Sequence, residues 1–225
     1  MNDDHDHSDA RRTGPDLVIF DCDGVLVDTE RVANTLLTEA LATLGIELAF
    51  EETVARFKGR SARDCCAIIE RDFAVAVDPT FYDACRARLL DRFEAAPRTL
   101  PGITEALDTI DRPVCVASSG EHEKMRRTLG ATGLLERFAG RIFSASEVPR
   151  SKPFPDLFLH AARAMGAEPA RCVVVEDSVP GVEAGVAAGM PVLGYVDLTG
   201  EEALAAAGAR CFHDMRDLPA LLSTI

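Results

Sequence analysis

Three uninterrupted apolar runs, each ending in a hydroxyl or a carboxylate, constrain this chain more than any other feature. Leu17-Val18-Ile19-Phe20 runs into Asp21-Cys22-Asp23-Gly24, Val114-Cys115-Val116-Ala117 into Ser118, and Cys172-Val173-Val174-Val175 into Glu176-Asp177. Runs this short, with β-branched members, do not make helices and fit strands covered on both faces, as in a parallel sheet. Further strands are expected near Ile142-Phe143 and Pro191-Val192-Leu193. In open α/β sheets ligands bind beyond the carboxyl ends of the strands, so the three polar endings can meet in one crevice.

Helical segments alternate with these strands. Leu157, Phe158, Ala161, Ala162 and Met165 recur at helical spacing before Gly166, and Val182, Gly185, Val186 and Gly189 follow the third run in the same way. The alternation predicts an α/β fold with a doubly wound parallel sheet. Between Glu30 and Arg98 no strand pattern is found. Val32, Leu36, Leu37, Ala40, Leu41 and Leu44 form one apolar face ended by Gly45; Ser61 and Asp64 resemble a capping box; Asp78-Pro79 opens a helix carrying Phe81, Cys85, Leu89 and Phe93. The expected organisation is therefore a flexible leader over 1–15, an α/β core over 16–29 and 99–225, and an all-helical cap over 30–98. His5 and His7 fall in the leader and are read as solvated tail.

At 225 residues, with 47% hydrophobic and 27% charged residues, the chain has the profile of a globular enzyme with room for a sizeable core. Its net charge of −13, without a dense Lys/Arg stripe, argues against nucleic acid as a partner. No stretch is long and apolar enough to span a bilayer, and the polar, acidic start of the chain does not read as a secretory signal. The seven cysteines form no CxxC pairs, which points to a reducing compartment. A cytoplasmic monomer with no membrane partner is expected. A phosphate site on so acidic a chain requires a cation and well-placed basic groups.

Asp21 and Asp23, directly after a buried strand, suit such a site. A strand-end carboxylate can attack phosphorus with one oxygen and hold Mg²⁺ with the other, and Asp23 can give and take the proton. Gly24 lets the chain turn sharply away. Glu176-Asp177 supplies a further carboxylate for a metal that needs two carboxylates, a carbonyl and waters. Ser118, with Ser119-Gly120 at an expected helix start, can hold phosphate oxygens. Lys152, before Pro153 and an expected helix, can neutralise the transferring group. Cys22 is expected to point away into packing. His122, His160 and His213 show no arranged partners.

The ordered set DCDG, a strand ending in serine, S-K-P and V-V-V-E-D-S resembles the haloacid dehalogenase superfamily from Leu17 onward. The segments FDCDGVLVDTE and EDSVPGVEAGVAAGM look like its branch of β-phosphoglucomutases and sugar-phosphate phosphatases, in which the insert is a cap that closes over the substrate. The resemblance implies Asp21 as a nucleophile forming an aspartyl-phosphate and Asp23 as acid/base and, through its carbonyl, a Mg²⁺ ligand. Asp177 would complete the metal site with help from Glu176, and Ser118 and Lys152 would bind phosphate. The presence of Asp23 points away from true dehalogenation.

A mutase of this branch carries a cap histidine aligning the acid/base and an arginine for a second phosphate; ungapped, those positions fall on Ala33 and Ala62. Hydrolysis is therefore favoured over the mutase alternative, although Arg60 or Arg63 could replace the arginine. Phe57-Lys58-Gly59-Arg60-Ser61 lies at a break between cap helices, where Lys58 and Arg60 could touch the substrate. That segment and SSGEHEKM look most like 6-phosphogluconate phosphatases. The expectation is a Mg²⁺-dependent phosphatase of a small phosphorylated metabolite, such as a sugar phosphate or phosphosugar acid. A non-enzymatic binding protein on an inherited fold is the remaining alternative.

Overall fold

A computed structural model describes residues 14–78 and 80–225 of the chain. The leader expected over 1–15 lies largely outside these, but Gly14 and Pro15 are buried, and Arg112 donates to the Pro15 carbonyl at 2.8 Å. The packed structure thus begins before the first strand.

The elements run β1 (Leu17–Phe20), α1 (Glu30–Thr43), α2 (Phe50–Phe57), α3 (Ala62–Phe73), α4 (Thr80–Ala95), α5 (Ile103–Thr109), β2 (Val114–Ser118), α6 (His122–Ala131), β3 (Ile142–Ser144), α7 (Asp156–Ala164), β4 (Cys172–Glu176), α8 (Val179–Ala187), β5 (Val192–Tyr195), α9 (Glu201–Ala206), β6 (Arg210–Phe212) and α10 (Leu218–Leu222). The six strands are ordered β3-β2-β1-β4-β5-β6, and every neighbouring pair is parallel. From β1 the chain winds outward to β3, then returns to lay β4 on the other side of β1. The carboxyl ends of β1 and β4 therefore flank the point where the winding reverses, the place where such sheets bind ligands.

Alternation along the strands builds two cores, one on each face. Val18, Phe20, Val116, Val173 and Val175 pack on one side. Leu17, Ile19, Cys115, Ala117 and Val174 pack on the other. Strands buried on both faces have no polar residue until they end, which is why Asp21, Ser118 and Glu176 appear only there.

The insert carries its own core, in which Leu37, Leu41, Ile46, Phe57, Cys65, Ile68 and Ile69 cluster among α1, α2, α3 and their connections. Ser61 caps α3 by accepting from the Asp64 amide. Pro79 lies outside the described residues; beside it, the Asp78 carboxylate accepts from the Thr80 amide at 2.7 Å. Two paired segments link cap to core, with the Asp28 amide bonded to the Arg98 carbonyl at 3.0 Å and the Leu100 amide to the Leu26 carbonyl at 3.2 Å.

Several local expectations shift. α6 begins at His122 rather than at Ser119-Gly120, and α7 begins at Asp156 rather than directly after Pro153. Val186, expected on a helical apolar face, is 46% exposed. β6 has no apolar run to announce it: it opens on the exposed Arg210 at the sheet edge.

Candidate active site

The tight turn after β1 turns two carboxylates into the crevice. The Gly24 amide bonds to the Val27 carbonyl at 2.9 Å, closing the turn. Asp21 and Asp23 are both buried, while Cys22 between them packs fully into the core. Gly24 has φ +77°, and a Cβ there would lie 2.0 Å from Asp177 Oδ2. Gly24→Ala is expected to cost about 1–2 kcal/mol in backbone conformation alone and to displace Asp177. A purified variant that kept wild-type turnover and urea midpoint would contradict this packing.

Lys152 is the hub of the site, although it is only 1% exposed. Its ammonium donates to Asp21 Oδ1 and Glu176 Oε1, each at 2.6 Å, and to the Ala117 carbonyl at 3.1 Å. Burial works against that charge, but Asp21 and Glu176 outweigh it and hold the lysine protonated well beyond its ordinary range. In the other direction, burial pushes the Asp21 carboxyl up to about 8, with Lys152 pulling it down and Glu176 and Asp177 adding to the rise. One lysine does not balance these acids.

Asp23 is held differently. Thr29 Oγ1 donates to its Oδ1 at 2.5 Å and Lys124 Nζ to its Oδ2 at 2.6 Å. Burial raises this carboxyl, yet Lys124 and Thr29 together keep it below the ordinary range. Neither partner stands out in the sequence. Lys124 lies in SSGEHEKM without a motif of its own, and only the packing of α6 on the sheet face that carries Phe20 brings it to Asp23.

Adjacent carboxylates at the end of β4 take separate roles. Glu176 Oε2 accepts from the Asp177 amide at 2.9 Å, the Ser178 amide at 3.0 Å and the Ser178 hydroxyl at 2.9 Å, while Oε1 holds Lys152. Its donors are Lys152 and the loop, so the metal-ligand expectation for Glu176 meets a carboxylate already occupied. Asp177 is otherwise. Its Oδ2 is buried without an aligned hydrogen bond, and Lys58 Nζ from the cap lies 2.6 Å away. Burial pushes the Asp177 carboxyl up to about 7, against Lys58.

Lys58 lines the cavity but is largely buried where cap meets core, donating to the Asp177 carbonyl at 2.8 Å and to Thr199 Oγ1 at 3.1 Å. Arg60 does line the cavity, its Nε donating to the Arg56 carbonyl at 2.9 Å. Ser118 is buried, and its hydroxyl accepts from the Gly120 amide at 3.2 Å. Ser119 ties the core to the cap through the Gly59 carbonyl at 2.9 Å. The histidines prove to have partners: His122 and His160 both approach Glu147, at 2.7 and 3.2 Å, and His213 approaches Glu201 at 3.2 Å.

Asp21, Asp23, Ser118 and Lys124 from the core, with Arg60 and Arg63 from the cap, line one cavity of about 410 Å³. That volume suits a small metabolite. Among the described residues no three acid, histidine or cysteine side chains converge as a ready-made metal cage. Mg²⁺ does not require one, because it keeps several waters and takes only one or two carboxylates. The Asp177 carboxylate, paired with Lys58 and standing beside Asp21, whose burial Lys152 does not offset, supplies the oxygen-donor chemistry that such an ion takes.

A model of the haloacid dehalogenase-like hydrolases matches residues 15–189. The chain belongs to that family. It is 35% identical over 176 residues to the 6-phosphogluconate phosphatase of Escherichia coli (strain K12), covering 78% of this chain and 80% of the relative. It is 33% identical over 179 residues to a fructose-1-phosphate phosphatase of the same organism, covering 77% and 92%. A crystal structure of a haloacid dehalogenase-like protein from Agrobacterium tumefaciens superposes with a TM-score of 0.79 at 35% identity, covering 94% of this chain and 99% of that one. Family and relatives make this member of the haloacid dehalogenase-like hydrolases a phosphatase, an enzyme that acts on small phosphorylated substrates. Among its described residues, no helix is long and apolar enough to cross a membrane.

Proposed function

We propose that this enzyme hydrolyses phosphorylated sugars or sugar acids, with Asp21 as nucleophile and Asp23 as acid and base. An Asp21 oxygen attacks phosphorus and the ester bond breaks, with Asp23 protonating the leaving oxygen. Water, deprotonated by Asp23, then attacks the aspartyl-phosphate, releasing inorganic phosphate and restoring Asp21. Lys124 holds Asp23 ionised, which suits the second half; a phosphate dianion in the cavity raises its proton affinity for the first. Lys152 and Ser118 bind the transferring oxygens. Glu176 acts by orienting Lys152.

Asp21, Asp177 and the Asp23 carbonyl would hold Mg²⁺. Bound there, the ion would neutralise phosphate charge and orient the phosphoryl group.

The observation carrying hydrolysis over mutase chemistry is the Lys124–Asp23 contact of 2.6 Å. Lys124 belongs to α6 of the core, and Thr29 to the linker just before α1. Asp23 is therefore aligned without any group from the cap helices, where the mutase-type histidine is replaced by Ala33. An acid/base aligned whatever occupies the cap side is competent toward water. Arg60 and Arg63 on the cavity wall supply positive charge for a carboxylate or hydroxyls at the far end of a substrate. The 6-phosphogluconate and fructose-1-phosphate phosphatase relatives agree with that substrate class.

Phosphate release should be measured on a panel of phosphosugars, phosphosugar acids and an aryl phosphate, with Mg²⁺ and with a chelator. Release is expected to vanish in chelator, return with Mg²⁺ and favour the phosphosugar compounds. A flat panel would overturn the substrate class. Conversion of a hexose 1-phosphate to its 6-phosphate without net phosphate release would overturn hydrolysis in favour of the mutase.

A further inference from the structure

The cap touches the core directly beside the lysine at the centre of the site. Asp64, in the first turn of α3, accepts a hydrogen bond from the Ser61 hydroxyl at 2.6 Å and another, on the same Oδ2, from the Ser151 hydroxyl. Ser61 and Ser151 are both buried, with their hydroxyls 3.4 Å apart. Arg63, the neighbouring residue, donates to the Pro149 carbonyl at 3.4 Å. One turn of a cap helix thus grips the segment 149–151 twice.

Lys152 is the next residue, and its ammonium is shared among Asp21, Glu176 and Ala117. A shift of Ser151 is transmitted through a single peptide unit to the backbone that carries this side chain. The Asp64 carboxylate is not needed to start α3, because the helix is capped by the Asp64 amide donating to Ser61 Oγ at 3.2 Å. Its contact with Ser151 is therefore separable from the folding of the helix.

We propose that Asp64 and Ser151 are positioning residues for phosphoryl transfer. The cap carboxylate seats Ser151 and so sets Lys152 against Asp21, making the alignment of a core lysine depend on the cap resting in place. The inference depends on the role of Lys152 given above. A misplacement of about 1 Å at a reacting centre can cost on the order of 10²-fold in rate, so a small movement of this segment suffices.

The test uses the full chain with Ser151→Ala, Asp64→Ala, both together, and Asp64→Asn, which keeps an acceptor oxygen. On the best substrate of the panel, each alanine variant is expected to lower kcat by about 10–100-fold with KM changed less than about threefold. The double variant should be no worse than the poorer single one, as for two partners in one interaction, and Asp64→Asn should recover most of the loss. Hydrogen exchange across residues 149–154, measured without substrate, should be faster in the alanine variants. Unchanged kcat in Ser151→Ala, effects that multiply in the double variant, no recovery in Asp64→Asn, or unchanged exchange would each overturn the proposal. If the wild-type chain releases no phosphate with Mg²⁺, the proposed function fails, and the exchange measurement alone decides whether cap and segment are coupled.

Discussion

Asp21→Asn is expected to abolish phosphate release, lowering turnover by on the order of 10⁶, the scale seen when a covalent nucleophile is removed. The other carboxylates of the site are engaged: Asp23 is tied to Thr29 and Lys124, Glu176 to Lys152 and its own loop, and Asp177 to Lys58. The fold should survive. At pH 7 the buried Asp21 carboxyl opposes folding, because burial raises its pKa from 3.8 to about 8. The folded chain then holds a proton that the unfolded chain releases, so stability falls as pH rises across that window. Urea unfolding in chelator should show Asp21→Asn equal to wild type near pH 4 and increasingly more stable toward pH 8. Retained turnover would remove Asp21 from the role of nucleophile; a variant that unfolds at every pH would contradict the electrostatic account.

Lys152→Met should have the largest effect on stability, a loss of about 3–5 kcal/mol, as is usual when a buried ion pair keeps only one side. Asp21 and Glu176 lose their common donor. Adding Glu176→Gln removes the carboxylate that Lys152 had paired and should restore a substantial part of the loss, measured by urea midpoint at neutral pH. Turnover should stay abolished in both variants, since neither can neutralise the transferring phosphoryl group. The contrast separates the lysine's structural role from its chemical one. If the double variant were as unstable as Lys152→Met, the Glu176 contact would not be the source of the penalty.

Much of this arrangement is legible in the amino-acid sequence. A strand buried on both faces tolerates no polar residue until it ends, so the apolar runs place Asp21, Ser118 and Glu176-Asp177 on one rim. Gly24 is legible because a turn this tight needs a positive φ. The gap without strand pattern between β1 and β2 marks the helical cap. Short edge elements are not legible, because β6 opens on an exposed arginine and is held by β5 rather than by its own composition. The starts of α6 and α7 fall a few residues beyond their expected places, since the turns before them carry the same small and proline residues that caps use.

Local patterning of period two is enough to say which side chains of this phosphatase stand at the strand ends, and that much is written in its sequence. Which of them meet is a property of the tertiary fold. Lys152 reaches Asp21 across 131 positions and Lys124 reaches Asp23 across 101, and such partners depend on strand order and helix docking. Glu176 and Asp177 are both acids, yet one holds Lys152 of the core and the other meets Lys58 of the cap, because successive side chains at the end of β4 point in opposite directions. Lys58 likewise reads only as a possible substrate contact and Asp64 only as part of a helix cap until the cap rests on the core, where they meet Asp177 and Ser151.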